Sequence, residues 1–256
     1  MLVAVPAAAI VIACVYAGGP VFAVALIVVA LLGMHELYRL TGRAGRIQTA
    51  GYIASAGVIA AALLGGPREM VLALAVTVPL SLAFGLATRE RTAVTRSVAV
   101  TVLGVAWIAL ALAHGVLLRE LPHGAALVID VLLATFLGDT GAHLLGAAFG
   151  RRQLAPRISP SKTIEGLAAG VVVGTLAVLV AALLFQPWLE PWQVVVLGLV
   201  AAVAAPCGDL FESLLKRDMG VKDTGTLFGA HGGVLDRIDA VLFAAVAGYY
   251  VSVLLL

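Results

Sequence analysis

This sequence predicts an all-α polytopic membrane protein with about nine transmembrane helices, and three observations lead there. Of its 256 residues 62% are apolar and 12% are charged, about half the charge of an ordinary globular domain and too little to cover a water-facing surface. The mean hydropathy is +1.11. The apolar runs are long and continuous, near the roughly 20 residues that one membrane-crossing helix needs, and they lack the alternation of a transmembrane barrel strand. Helices satisfy their backbone polar groups internally, so they are the expected spanning element. A soluble enzyme, a disordered chain and a fibrous repeat are excluded.

The spans read in order as 2–17, 20–38, 50–65, 69–87, 97–118, 125–148, 163–185, 192–211 and 238–256. No basic stretch precedes the first run, which leads straight into the second, so a span is expected there rather than a signal peptide. Gly18-Gly19-Pro20, Gly65-Gly66-Pro67 and Gln186-Pro187 supply turn chemistry at three of the breaks. Several spans are rich in Gly and Ala, the composition of closely packed helices in lipid. Trp188 and Trp192 fit interfacial anchors, and Trp107 lies inside a span. Cys14 and Cys207 sit far apart in apolar runs and suggest neither a disulfide nor a metal site. Residues 1–118 read as a scaffold of helices, and 119–256 as the part that carries the polar loops.

Charge placement sets the expected orientation. With the N-terminus in the cytoplasm and each span reversing sides, the basic residues at 39–46, 89–96, 151–162 and 216–237 all face the cytoplasm. Only Arg68 and Arg119 fall outside, the asymmetry of the positive-inside rule. The acidic residues concentrate from Asp139 onward, so chemistry is expected at the cytoplasmic mouth of the C-terminal helices.

Segment 206–239 reads PCGDLFESLLKRDMGVKDTGTLFGAHGGVLDRID. Asp209 and Glu212 share one helical face at i, i+3 near the end of a span, and Asp236 and Asp239 do so at the start of the next. Two such pairs at successive helix ends could converge on a hard cation; Mg²⁺ takes one or two carboxylates, waters and substrate phosphates. Between them a loop is expected to carry Lys216, Arg217, Lys222, His231, Gly232 and Gly233, where Lys and Arg suit phosphate oxygens and glycines admit a ligand to the backbone. The set suits Mg²⁺-assisted phosphoryl or nucleotidyl transfer. Its competitor is an interfacial loop whose charges only anchor the helices.

Upstream, Asp139 and His143 interrupt a span at i, i+4, as a functional site or simply as a pair with each other. RRQLAPRISPSKTIEG follows, in which Ser159, Ser161, Lys162, Thr163 and Glu165 suit a phosphate contact before a helix N-terminus. Ser161 or Thr163 could equally cap that helix. His35, Glu36 and Asp130 read as packing or helix-pairing groups.

The run from Ser213 to Asp239, SLLKRDMGVKDTGTLFGAHGGVLDRID, resembles the complete signature of the phosphatidate cytidylyltransferase (CDP-diacylglycerol synthase) family, and GDTGAHLLGAAFG and APRISPSKTIEG resemble it more loosely. The resemblance implies a multispan helical fold and a reaction in which CTP and phosphatidic acid give CDP-diacylglycerol and pyrophosphate. It implies catalytic roles for Asp209, Asp236, Asp239, Lys222 and Asp223, with Mg²⁺ held by Asp209, Asp236 and Glu212 and a second cation allowed for. Substrate contacts are implied for Asp139, Ser159, Ser161, Lys162, Thr163, Glu165, Lys216, Arg217, His231, Gly232, Gly233 and Arg237. An ionised lipid phosphate needs no strong base, so no Ser-His-Asp or Cys-His nucleophile is expected. The bacterial inner membrane, no nucleic acid and a homodimer are the corresponding expectations for location and partners. Alternatives are a CTP-dependent lipid kinase, a cytidylyltransferase acting on another lipid phosphate, and a secondary transporter.

Overall fold

The computed structural model describes residues 4–42, 46–87, 93–225 and 232–256. Among them, eight helices are long and apolar enough to cross a membrane. In order the helices are α1 (Ala4–Ala17), α2 (Gly19–Leu40), α3 (Arg46–Gly65), α4 (Pro67–Leu86), α5 (Val94–Gly104), α6 (Leu110–Glu120), α7 (Gly124–Phe149), α8 (Ile164–Phe185), α9 (Pro191–Asp218) and α10 (Leu235–Leu255). A π-helical stretch, Val105–Ala109, joins α5 to α6, so residues 94–120 form one long segment. The expected span 2–17 coincides with α1, whose 14 residues extend about 21 Å at 1.5 Å per residue, short of the roughly 30 Å bilayer core.

Helix ends follow local chemistry. α2 and α4 each begin with a proline in the first turn after a glycine, where the missing N–H costs nothing. Glu190 and Gln193 form a capping box at the start of α9, satisfying two otherwise orphaned donors. α9 continues to Asp218, two turns beyond the expected 211, so Lys216 and Arg217 lie on its last turn rather than in a loop. The cause is local: LFESLLKR is made of good helix formers, and Glu212 precedes Lys216 by four residues, the favourable order.

The chain divides into two compact units, residues 1–120 with 223–237 and residues 121–222 with 238–256. In the first, Tyr38 on α2 shares a buried 2.8 Å hydrogen bond with Thr101 on α5. His35 meets the Tyr52 hydroxyl on α3 at 3.1 Å, the helix-pairing role expected of it. The Arg119 Nε donates to the Val15 carbonyl at 2.6 Å, placing a cation on the last carbonyls of α1, where the helix dipole favours one. Its guanidinium fills the space a side chain on Gly18 would need.

In the second unit, α7 and α8 pack backbone to backbone. A Cβ on Gly166, Gly170 or Gly174 would lie 2.8 Å from the Ala142 carbonyl, 2.7 Å from that of Gly138 or 2.6 Å from that of Ala134. Glycine every fourth residue permits this approach, and in lipid such contact is a main source of helix association. A small antiparallel hairpin, β1 (Gln153–Ala155) and β2 (Ser159–Thr163), connects the two helices, where the sequence suggested only a loop. At the opposite end of the pair, Gln186 after α8 donates to the buried Asp130 on α7 at 2.8 Å, so Asp130 joins helices as expected.

Gly170→Val would force α7 and α8 apart, at a cost of about 1–3 kcal/mol. The thermal midpoint of the purified protein should fall clearly, whereas Ala168→Val, on the exposed side of α8, should leave it near wild type.

Candidate functional site

The polar ends of the second unit are assembled by backbone chemistry first. Thr163 N-caps α8, its hydroxyl accepting the Gly166 amide at 3.1 Å. The Glu165 Oε2 accepts the amides of Arg151 and Arg152 at 3.0 and 3.1 Å, and the Ile164 amide donates to the Arg152 carbonyl at 2.9 Å. These bonds tie the hairpin to the head of α8. From α9, the Arg217 Nε donates to the Ile158 carbonyl at 3.1 Å, bracing the hairpin turn. Thr163, Glu165 and Arg217, all expected at the substrate, thus have definite structural partners. Of the two capping candidates, Thr163 holds the position.

Along β2 the side chains alternate, which sets Lys162 opposite in sense to Ser161 and Thr163. The Lys162 ammonium pairs with the Asp209 carboxylate of α9, with about a quarter of each side chain exposed. The Asp209 Oδ1 also accepts from the Ser213 hydroxyl at 3.3 Å. Asp139 on α7 interacts electrostatically with Asp209, Lys162 and His143. Asp239 on α10 interacts with Asp209, Glu212 and Lys216, and its Oδ1 accepts the Ala240 amide at 2.8 Å. Gly208 makes this proximity possible, because any side chain there would run into the Asp239 carbonyl. Glu212 is 1% exposed and bonds the Lys216 ammonium at 2.8 Å. Losing one partner of such a buried pair costs about 3–5 kcal/mol.

The second unit therefore gathers Asp139, Lys162, Asp209, Glu212, Lys216 and Asp239, with carboxylates from three helices and two lysines between them. Ser159 is half-buried on β2, while Ser161 is exposed; Lys222 is exposed beyond α9.

The first unit holds Asp223, Gly232, Gly233, Asp236 and Arg237. Asp223 and Arg237 are exposed. The Asp236 Oδ2 accepts three hydrogen bonds: the Thr224 amide at 2.9 Å, the Thr224 hydroxyl at 2.7 Å and the Gly233 amide at 2.8 Å. Gly232 adopts φ +80°, and a Cβ there would lie 2.6 Å from that same oxygen, so both conformation and space require glycine. His231 lies outside the described residues. Glu36, expected to be a packing or helix-pairing group, accepts the Val234 and Leu235 amides at 2.8 and 2.9 Å and so joins α2 to the start of α10. The signal that could have singled it out is an ionisable group near the end of an apolar span.

Among the described residues, no three His, Cys, Asp or Glu side chains are grouped to hold a metal ion by themselves. The donor set is nonetheless all carboxylate oxygen, the chemistry of a hard cation, and Mg²⁺ is held by one or two carboxylates with water and phosphate oxygens completing its shell. Asp209 with Asp239 or Asp139 fits that requirement.

The cytidylyltransferase family profile matches residues 1–255. The chain belongs to the cytidylyltransferase family. A protein of Mycobacterium leprae named phosphatidate cytidylyltransferase is 39% identical over 160 residues, covering 62% of this chain and 51% of that protein. One of the same name from Synechocystis is 41% identical over 140 residues, 54% of this chain and 47% of its own. An uncharacterised Escherichia coli protein, YnbB, is 40% identical over 148 residues, 55% and 48% of the two chains. The chain spans about half the length of these relatives.

In this cytidylyltransferase-family chain the Thr163 cap generates a local test. Thr163→Ala should lower stability by about 1 kcal/mol, and Thr163→Ser should retain most of it. Thermal unfolding of the purified protein measures both.

Proposed function

We propose that this protein is a phosphatidate cytidylyltransferase that converts CTP and phosphatidate to CDP-diacylglycerol and pyrophosphate. The observation that carries the reading is the cluster of Asp139, Lys162, Asp209, Glu212, Lys216 and Asp239, in or beside membrane-length helices. Relatives named for this activity support it. A lipid whose tails stay in the bilayer and a soluble nucleotide need a charged site at the end of apolar helices.

The reaction joins two anions. An oxygen of the lipid phosphate attacks the α-phosphorus of CTP, a new P–O bond forms, and the bond from that phosphorus to the α–β bridging oxygen breaks. Pyrophosphate leaves with the electron pair. The phosphate is already ionised near neutral pH, so the protein's work is to align the reactants and neutralise developing charge. Lys162 and Lys216 are suited to the phosphate oxygens, and their carboxylate partners hold them in place between reactions. Asp209 and Asp239 would hold Mg²⁺, which when bound supplies Lewis-acid charge to the phosphates; they replace the expected set with Asp236 and Glu212, since the Asp236 Oδ2 is engaged by Thr224 and Gly233 and the Glu212 Oε2 by Lys216. Asp236 is proposed to be required for turnover, with Lys222, Asp223, Arg237, Ser159 and Ser161 as further contacts.

The basic loops between α2 and α3, α4 and α5, α7 and α8, and α9 and α10 alternate with poorly basic ones. Under the positive-inside rule they face the cytoplasm, where CTP is available, in a bacterial inner membrane. This alternation counts only the eight long helices, so it does not depend on α1.

Purified protein given CTP, phosphatidate and Mg²⁺ should release pyrophosphate and form CDP-diacylglycerol. Release of CDP without pyrophosphate would make it a kinase and defeat the proposal. Asp209→Asn and Asp236→Asn should each reduce turnover by at least about 100-fold while the protein still inserts and folds. Asp130→Asn, which preserves a partner for Gln186, should change it far less. Near-normal turnover in either of the first two variants would remove that residue from the proposed site.

A further inference from the structure

Glu36 belongs to α2, yet its carboxylate ends on a backbone nearly 200 residues further along the chain. Only 6% of the residue is exposed, so its charge must be met by protein donors. Its Oε1 accepts the Val234 amide at 2.8 Å and its Oε2 the Leu235 amide at 2.9 Å. Both amides lie at the start of α10, where N–H groups lack helical partners and the dipole favours an anion. The Thr224 hydroxyl stands 3.3 Å from the Glu36 Oε2 and 2.7 Å from the Asp236 Oδ2. A hydroxyl has one proton to give, and Thr224 shares it unequally, with the shorter branch to Asp236 and the longer to Glu36, which ties it to both carboxylates. The backbone closes tightly around the head group. A Cβ on Gly225 would lie 2.6 Å from the Glu36 Oε1, and one on Gly233 would run into the carboxylate.

One buried side chain therefore sets both 224–225 and 232–235. The same two stretches supply all three hydrogen bonds that Asp236 accepts through Oδ2. An N-terminal cap for α10 alone would have no need of Thr224 or Gly225. We infer that Glu36 is a positioning residue for nucleotidyl transfer: it holds Thr224 and Gly233 where they fix the carboxylate of Asp236. The inference rests on the proposed reaction and on the need for Asp236 in it.

Glu36→Gln, Glu36→Asp and Thr224→Val in the full chain test it. Glutamine keeps the shape, but it can accept through only one head-group atom and turns an NH₂ toward an amide N–H. For Glu36→Gln, kcat with CTP and phosphatidate should fall about 10- to 100-fold, the range for residues that orient a site ligand. KM for CTP should stay within about threefold, and the thermal midpoint should fall by only a few degrees, about what one unsatisfied buried donor costs. Deuterium exchange at Val234 and Leu235 should quicken, while the middle of α10 stays protected. Glu36→Asp should recover part of kcat. Combining Glu36→Gln with Thr224→Val should cost no more than the worse single change, since both act through one linkage.

Unchanged turnover and exchange in Glu36→Gln would overturn the inference. A lowered thermal midpoint with kcat intact would do the same, marking a purely structural side chain. If the glutamine variant does not fold, Glu36→Asp decides: reduced kcat in a folded protein supports the inference, and full kcat overturns it. Wild-type protein that makes no CDP-diacylglycerol would instead refute the cytidylyltransferase reading. The exchange measurement would then still show whether Glu36 holds the segment.

Discussion

A carboxylate taken out of water has to be met by a cation or by hydrogen-bond donors, and that requirement organises the polar clusters among the described residues. The penalty for an unmet charge is several kcal/mol even after relaxation, comparable to the whole stability of a typical protein. The chain answers it in three ways. Asp209 and Glu212 have lysines, Lys162 and Lys216. Glu36 and Asp236 have backbone amides. Asp130, deep in the second unit, is met on one oxygen alone, by the Gln186 side-chain amide.

These answers differ in what they leave available for chemistry. A lysine shared between a carboxylate and a substrate phosphate can exchange one oxygen for another at little net cost, so the Asp209–Lys162 pair is a suitable resting state for a phosphate site. Under the proposed function its partial exposure would ease that exchange, because an exposed pair contributes little stability and resists opening little. The Glu212–Lys216 pair is buried on the carboxylate side and anchors the end of α9 more firmly. Backbone amides, by contrast, cannot leave. Carboxylates that they hold keep a fixed place, as Glu36 and Asp236 do in the first unit.

Glycine supplies the second condition. Carboxylates from separate helices interact only if the helix backbones come close. Gly208 removes the side chain that would keep the Asp239 carbonyl away from α9, and Gly166, Gly170 and Gly174 bring α8 against α7. In lipid, where apolar burial gives helices little reason to associate, such contact also carries much of the packing energy. Stability and site construction thus draw on the same small residues.

The sequence by itself determined the class of the protein, the helices and most of their limits. Apolar content, run length and the Gly-Pro breaks are local properties, and membrane insertion reads them locally. The motif from Ser213 to Asp239 likewise announced its family from residue identities alone. What only the tertiary structure decided are partnerships over long separations. Lys162 could have met a phosphate, a cap or nothing; its pairing with Asp209 depends on how β2 and α9 are brought together. Thr163 and Glu165 proved to be bound to backbone, because a helix N-terminus has donors that must be satisfied wherever it lies. Glu36 was the least legible, since its partners at Val234 and Leu235 stand 198 and 199 residues away. No periodicity or spacing reaches that far: a side chain's neighbours along the chain reveal its helix face, and only packing reveals what that face meets.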